Sequence, residues 1–171
     1  MILSICYSEI IRPIDNDDLN YIYVLFEWEQ EPDAYDYNIQ VSNSVSFSAI
    51  IVDVNVSSTV YIEKDAIDWG SSYYWRVRPI YSNGTFGDWI QSQDSTIYSF
   101  STKESIFNDI NINIFNEDLI HNGLVAFGGF NPELQSGIID KNGKEIWNDG
   151  GFDFMLNHIN SRGNIYGFST V

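Results

Sequence analysis

The side chains of this chain that could do chemistry are scattered. Most sit in patterns that a structural role explains. Glu27, Glu29 and Glu31 form a carboxylate row beside Trp28, but their period of two places them on one side of an extended strand, where a solvated face accounts for them. Asp15-Asn16-Asp17-Asp18 could offer oxygens to calcium, yet the Gly-centred loop and distal Glu of an EF-hand are missing. A solvated turn is expected there. His121, in Ile120-His121-Asn122-Gly123, reads as a loop residue, and Arg162 as a turn residue. His158 reads on its own as a polar group near a strand end. No Gly-x-Ser-x-Gly elbow, His-Glu-x-x-His, paired Cys or His ligand set or phosphate loop occurs. Neither a metal site nor a cofactor is therefore expected.

Charge removes further classes of function. Asp plus Glu number 24 against 8 Lys plus Arg, a formal net charge of -16. So acidic a surface repels phosphate backbones and anionic lipid, and nucleic acid is not an expected partner. Solubility in a salty or extracellular setting explains the acidity. The single Cys6 cannot close an intrachain disulfide. Leu3-Ser4-Ile5-Cys6 faintly resembles a lipoprotein cleavage site, but Ile5 stands where a small residue belongs and no basic region precedes it. That apolar run is too short for a membrane span, so no transmembrane segment is expected. Abundant Asn, Ser, Tyr and Asp with scarce Lys favour an exported protein, extracellular or periplasmic, with cell-surface anchoring left open. The sequons at Asn55 and Asn83 mark exposed loops.

The elements around these residues are strands. Tyr73 to Ile80 organises the first hundred residues: Tyr73, Trp75 and Val77 point one way, and Tyr74, Arg76 and Arg78 the other. The outward guanidinium groups are expected to lie near rings such as Trp89 or Tyr74. Ahead of this strand, Ile67-Asp68-Trp69-Gly70-Ser71-Ser72 makes a corner past which the Tyr73 hydroxyl returns to nearby backbone. Other strands are expected over Ser8–Ile14, Tyr21–Gln30, Tyr35–Ser42, Phe47–Val52, Val56–Ile62 and Ile97–Ser101. Asp53-Val54-Asn55 reads as a break, and Ser82-Asn83-Gly84-Thr85 as a hairpin turn. Trp28, Tyr73, Trp75 and Val77 are the expected core, with Tyr37 and Ile39 near them. Seven short strands joined by turns predict an all-β antiparallel sandwich.

Residues from about Ser8 to Thr102 resemble a fibronectin type III domain. The resemblance rests on Trp28 after an alternating run, the Ile67-to-Tyr73 corner with Gly70 inside it, Trp75-Arg76-Val77-Arg78, Gly87-Asp88-Trp89 and the closing Phe100-Ser101-Thr102. It implies residues 1–103 as a β-sandwich domain and 104–171 as a linker followed by a second region.

Lys103 to Asn122 reads as an extended connector. Beyond it, Leu124-Val125-Ala126-Phe127 is a strand into Gly128-Gly129, expected as a bulge or tight strand end. Gly137–Asp140 and Glu145–Asn148 form a hairpin with Asn142-Gly143 at its tip. Phe154–Ile159 and Asn164–Phe168 form a second, turning at Ser161-Arg162-Gly163. Two such hairpins are the unit of a β-propeller blade. Asp140-x-x-Gly143-x-x-x-Trp147, followed by Asn157-His158 and Gly163-Asn164-Ile165-Tyr166-Gly167, resembles the first blade of the arylsulfotransferase family. That resemblance covers about Leu119 to Val171. It implies an exported protein that moves a sulfuryl group between phenols, with channel histidines, one carrying the group as nucleophile. His158 matches a channel histidine position. A propeller needs several blades to bury their faces, so the chain is expected to be an N-terminal fragment whose remaining blades follow Val171, inactive alone. Its partners would then be an aryl sulfate and a phenol. The alternative is a non-catalytic surface protein with glycan or protein ligands.

Overall fold

The computed structural model describes residues 8–91, 95–107, 116, 123–130 and 133–170. Cys6 and His121, and Ile110, Ile112 and Ile114 of the connector, lie outside them. Every regular element among the described residues is a β-strand, so the fold is all-β. The chain forms two compact units. Unit 1 runs to Leu19 and resumes from Tyr23 to Thr102; unit 2 takes Asn20–Ile22 and the chain from Lys103 onward.

Unit 1 contains β1 (Ile10–Arg12), β2 (Asp17–Leu19), β3 (Val24–Trp28), β4 (Ala34–Ser42), β5 (Ile50–Val56), β6 (Val60–Glu63), β7 (Ser72–Tyr81) and β8 (Tyr98–Thr102). One sheet has the order β1-β3-β6, the other β2-β8-β7-β4-β5. All pairs are antiparallel except β2 with β8. β3 and β4, next to each other in sequence, thus fall in different sheets, and the alternating apolar faces of the two sheets meet between them.

That inner face is aromatic. Trp28, Tyr37, Ile39, Tyr73, Trp75 and Val77 are all buried, as the period-two reading requires. Phe26 of the three-stranded sheet meets Trp75 at 5.0 Å and 67° and Phe100 at 5.8 Å and 69°, both edge-on. Trp28 meets Tyr37 at 5.3 Å and 64°. Edge-to-face contact sets the positive rim of one ring against the negative face of the next. The Tyr73 hydroxyl accepts the Asp68 backbone N–H at 2.8 Å, which closes the expected corner.

Three expectations fail here for local reasons. Asp53-Val54-Asn55 does not break the chain but lies inside β5, because Asn38 of β4 donates to Asp53 Oδ1 at 2.8 Å and to Asn55 Oδ1 at 3.1 Å. Cross-strand amide bonds satisfy side chains that would otherwise favour a turn. Asp17 and Asp18 belong to β2, and the Asp15 and Asp18 carboxylates accept from Ser99 and Ser101 of β8. Period two puts Tyr35 on the same side of its strand as the buried Tyr37, yet Tyr35 is 71% exposed, since the β4–β7 register shifts between Ala34 and Asp36.

A buried carboxylate ends β6. Glu63 Oε1 accepts the backbone N–H groups of Lys64, Asp65 and Ala66, and Oε2 the Tyr61 hydroxyl at 2.6 Å. Burial pushes this carboxyl up, but the bonds from Tyr61 and then from Ala66, Asp65 and Lys64 outweigh it and hold Glu63 below the ordinary glutamate value. Burial beside the Glu63 charge raises the Tyr61 hydroxyl. A depressed carboxyl contributes stability above its unfolded pKa, about 4.3, and loses it as pH falls through the folded value. Glu63→Gln should cost about 1–3 kcal/mol at neutral pH. It should also flatten the loss of stability below about pH 4 relative to the parent. Urea midpoints across that range check both; an acid limb as steep as the parent's would remove Glu63 as its source.

Unit 2 contains β9 (Val125–Phe130), β10 (Leu134–Ile139), β11 (Glu145–Asn148), β12 (Phe154–Ile159) and β13 (Ile165–Ser169). Both expected hairpins form. Their strands are divided between a sheet of order β11-β10-β9 and a separate pair, β12-β13. Tyr21 bridges Trp147 on the outer side of β11, and Ile22 N–H donates to Ile146 O at 3.0 Å. Gly128 and Gly129 are not a bulge. They pair regularly with Ser136 and Gln135, and a Cβ at Gly128 would stand 2.4 Å from Leu156 O. Glycine is needed where the β12 backbone comes closest.

Candidate functional site

The outer face of the β5-β4-β7 sheet carries an arginine–aromatic ladder. Ser82–Thr85 turns the chain back, Tyr81 N–H bonding Thr85 O at 2.9 Å. Gly87 N–H then bonds Pro79 O, and Ile90 N–H bonds Val77 O. A Cβ at Gly87 would lie 2.7 Å from the Pro79 ring, so glycine lets Phe86 and Trp89 come down over β7. Arg76 Cζ sits 3.8 Å from the Phe47 ring centroid and 4.1 Å from that of Trp89. Arg78 Cζ sits 3.9 Å from Phe86 and 4.3 Å from Trp89. The expected contact with Trp89 is present; Phe47 and Phe86 extend it.

Beneath the rings lies a hydrogen-bonded layer. Gln40 Oε1 accepts Arg76 Nε at 3.0 Å and Nη2 at 2.7 Å, and Asn38 Oδ1 accepts Arg78 Nε at 3.2 Å. Both amides donate to Asp53, Asn38 to Oδ1 and Gln40 to Oδ2 at 3.0 Å. One carboxylate thus reaches two guanidinium groups through two amides, and Asn38 and Gln40 are buried rather than solvated. Burial, then the Arg78 charge, lowers Arg76 from its ordinary value, against the pull of Asp53. A guanidinium remains charged regardless. Phe47 does not open a strand as expected; β5 begins at Ile50, and Phe47 lies ahead of it at φ 55°, a backbone that brings its ring to Arg76 and that no strand period marks. Phe86 sits one residue past the hairpin turn, and that position was its only signal.

The glutamate row lies beside the N-terminal strand. Arg12 Nε pairs with Glu27 Oε2 at 2.9 Å, Glu9 N–H reaches Glu29, and the Ser8 hydroxyl bonds Glu31. The Arg12–Glu27 pair ties β1 to β3, while Glu29 stays exposed, as a solvated face requires. Among the described residues no group of His, Cys, Asp and Glu is arranged to hold a metal ion.

His158 lies on β12, exposed, opposite Tyr166 of β13. The two rings stack at 6.2 Å and 25°. No described residue hydrogen-bonds its imidazole. Arg162 stands in the turn, its N–H on Asn160 Oδ1 at 2.9 Å. Among the described residues, unit 2 buries the polar side chains of Ser136, Glu145, Asn148 and Asp149. Ser136 Oγ donates to Phe154 O and accepts Leu156 N–H, both at 2.6 Å, which fixes β12. Asn148 Nδ2 donates to Glu145 Oε1 at 2.7 Å and to Glu104 O at 3.2 Å, while its Oδ1 accepts Gly150 N–H. Glu145 also accepts from Ser105, Ile106 and Phe107. This network positions strands and leaves His158 outside it. No protein family, no curated protein and no solved structure matches this chain.

Proposed function

We propose that unit 1 is a fibronectin type III module and unit 2 the opening strands of an arylsulfotransferase-like propeller, in an exported protein that transfers a sulfuryl group between phenols. The observation that carries this reading is the placement of His158. It follows the hairpin in which Asp140 Oδ1 accepts the Asn142 and Lys144 N–H groups and Gly143 takes φ 84°, and its imidazole faces solvent against Tyr166. A neutral imidazole open to solvent is free to attack sulfur and to leave again. The strand orders β1-β3-β6 and β5-β4-β7-β8, with β2 alongside β8, support the sandwich half of the reading. Exposed Val125, Phe130, Tyr166 and Phe168 on β9 and β13 support further strands lying against unit 2.

Sulfuryl transfer also needs a proton donor and groups that bind the sulfuryl oxygens in one pocket. The 171-residue chain is therefore expected to be inactive alone. In a longer parent protein, His158→Ala and His158→Gln should lower turnover of a chromogenic aryl sulfate by about two orders of magnitude or more. Undiminished turnover in those variants would return His158 to a structural role, and turnover by the isolated chain would overturn the multi-blade reading. The second reading, a non-catalytic extracellular binding protein, is favoured by the ladder, which presents ordered side chains on the outer face of unit 1.

A further inference from the structure

Arg76 and Arg78 are held in place without being neutralised. The chain has three acidic residues for every basic one, yet no described carboxylate lies within ion-pair distance of either, whereas Arg12 pairs with Glu27. Asp53 spends both oxygens on Asn38 and Gln40. Arg76 Nη1 and both terminal nitrogens of Arg78 donate to no described residue. Rings and amides thus fix two guanidinium groups by one edge and leave the other edge open.

We propose that this face binds an extended peptide segment carrying carboxylates at alternate positions, one for each guanidinium. Arg76 and Arg78 are two residues apart on β7, so the backbone positions that carry them repeat at the strand period, about 6.6–7 Å, with the Trp89 ring 4.1 and 4.3 Å from the two Cζ atoms. Same-face side chains of any extended peptide share that repeat. A guanidinium fork takes a carboxylate through two parallel N–H···O bonds. Stacking has already ordered both side chains, so binding need not pay that cost again. Phe86, 51% exposed beside Arg78, adds an apolar contact. The net charge of -16 selects against long polyanions, which it repels along their whole length, and spares a short segment with two carboxylates.

The test follows the side-chain Nε–Hε signals of Arg76 and Arg78 in the isotopically labelled full chain. Capped peptides Thr-Glu-Thr-Glu-Thr and Thr-Gln-Thr-Gln-Thr are titrated in turn, then an oligogalacturonate. The glutamate peptide should shift both signals and saturate below about 1 mM, and the glutamine peptide should shift neither. Arg78→Lys keeps the charge but loses the fork and should weaken binding about tenfold; unchanged β7 amide signals show that it still folds. Arg12→Lys should leave affinity as it is. Silence with the glutamate peptide, equal binding of the glutamine peptide, or full affinity in Arg78→Lys each overturns the proposal. Signals that move for the oligogalacturonate and not for the peptide overturn it in favour of an acidic sugar.

Discussion

Trp75→Ala is expected to destabilise unit 1 by about 3–5 kcal/mol, a large share of what holds a domain of this size together. Trp75 is fully buried and lies against Phe26 of the opposite sheet and Tyr98 of β8. Its removal leaves a cavity that rings on both sheets cannot collapse to fill. Trp75→Phe should cost markedly less. The indole N–H of Trp75 has no hydrogen-bond partner among the described residues, so phenylalanine gives up volume and ring contact but no polar bond. Hydrogen exchange at the Val77 and Ile39 amides reports on this core directly. Protection in Trp75→Ala equal to the parent's would mean that Trp75 is not a keystone of the sandwich.

The second large effect is expected in unit 2. Asn148 is fully buried and its amide makes three bonds, to Glu145, Glu104 and Gly150. Asn148→Ala leaves a carboxylate oxygen, a carbonyl and an N–H short of a partner in a site closed to water. Each buried polar group so left costs about 1–3 kcal/mol, more where the group is charged, so a loss of about 3–5 kcal/mol is expected. Asn148→Asp should be no milder, because it places a second carboxylate 2.7 Å from Glu145. The measurement is exchange at the Ile138 and Ile146 amides, which should lose protection in both variants. Retained protection in Asn148→Ala would show that the network is dispensable to β10 and β11.

The inner face of unit 1 was readable because burial and strand period act on the same residues. Tyr73, Trp75 and Val77 alternate with Tyr74, Arg76 and Arg78, and a two-sided strand has few other ways to lie. The ladder was half readable. Two arginines at strand spacing beside Trp89 announce stacking, but Phe47 and Phe86 reach them from irregular backbone that no period marks. Asp53-Val54-Asn55 misled because its turn chemistry is local, whereas the amides that capture it stand on another strand. Gly128-Gly129 misled for the opposite reason: a glycine required by a neighbour's backbone looks in sequence like one required by a turn. The unit 2 network was invisible, since Ser136, Glu145, Asn148 and Asp149 are polar residues in a stretch that reads as hairpin edge and loop.

Asn20, Tyr21 and Ile22 belong to unit 2 although the chain on both sides of them belongs to unit 1, and Asn20 meets Asn148 across 128 positions. On the ribosome these three residues emerge long before the strand they pair with. At about 5–20 residues per second the wait is on the order of ten seconds. Unit 2 therefore cannot close vectorially: the bridge from Tyr21 waits until Trp147 has been released. The same arrangement bears on how such a protein is assembled in evolution. A single recombination point after Thr102 would carry β9 to β13 to a new host without the segment that lines β11, so the two units are expected to be inherited together.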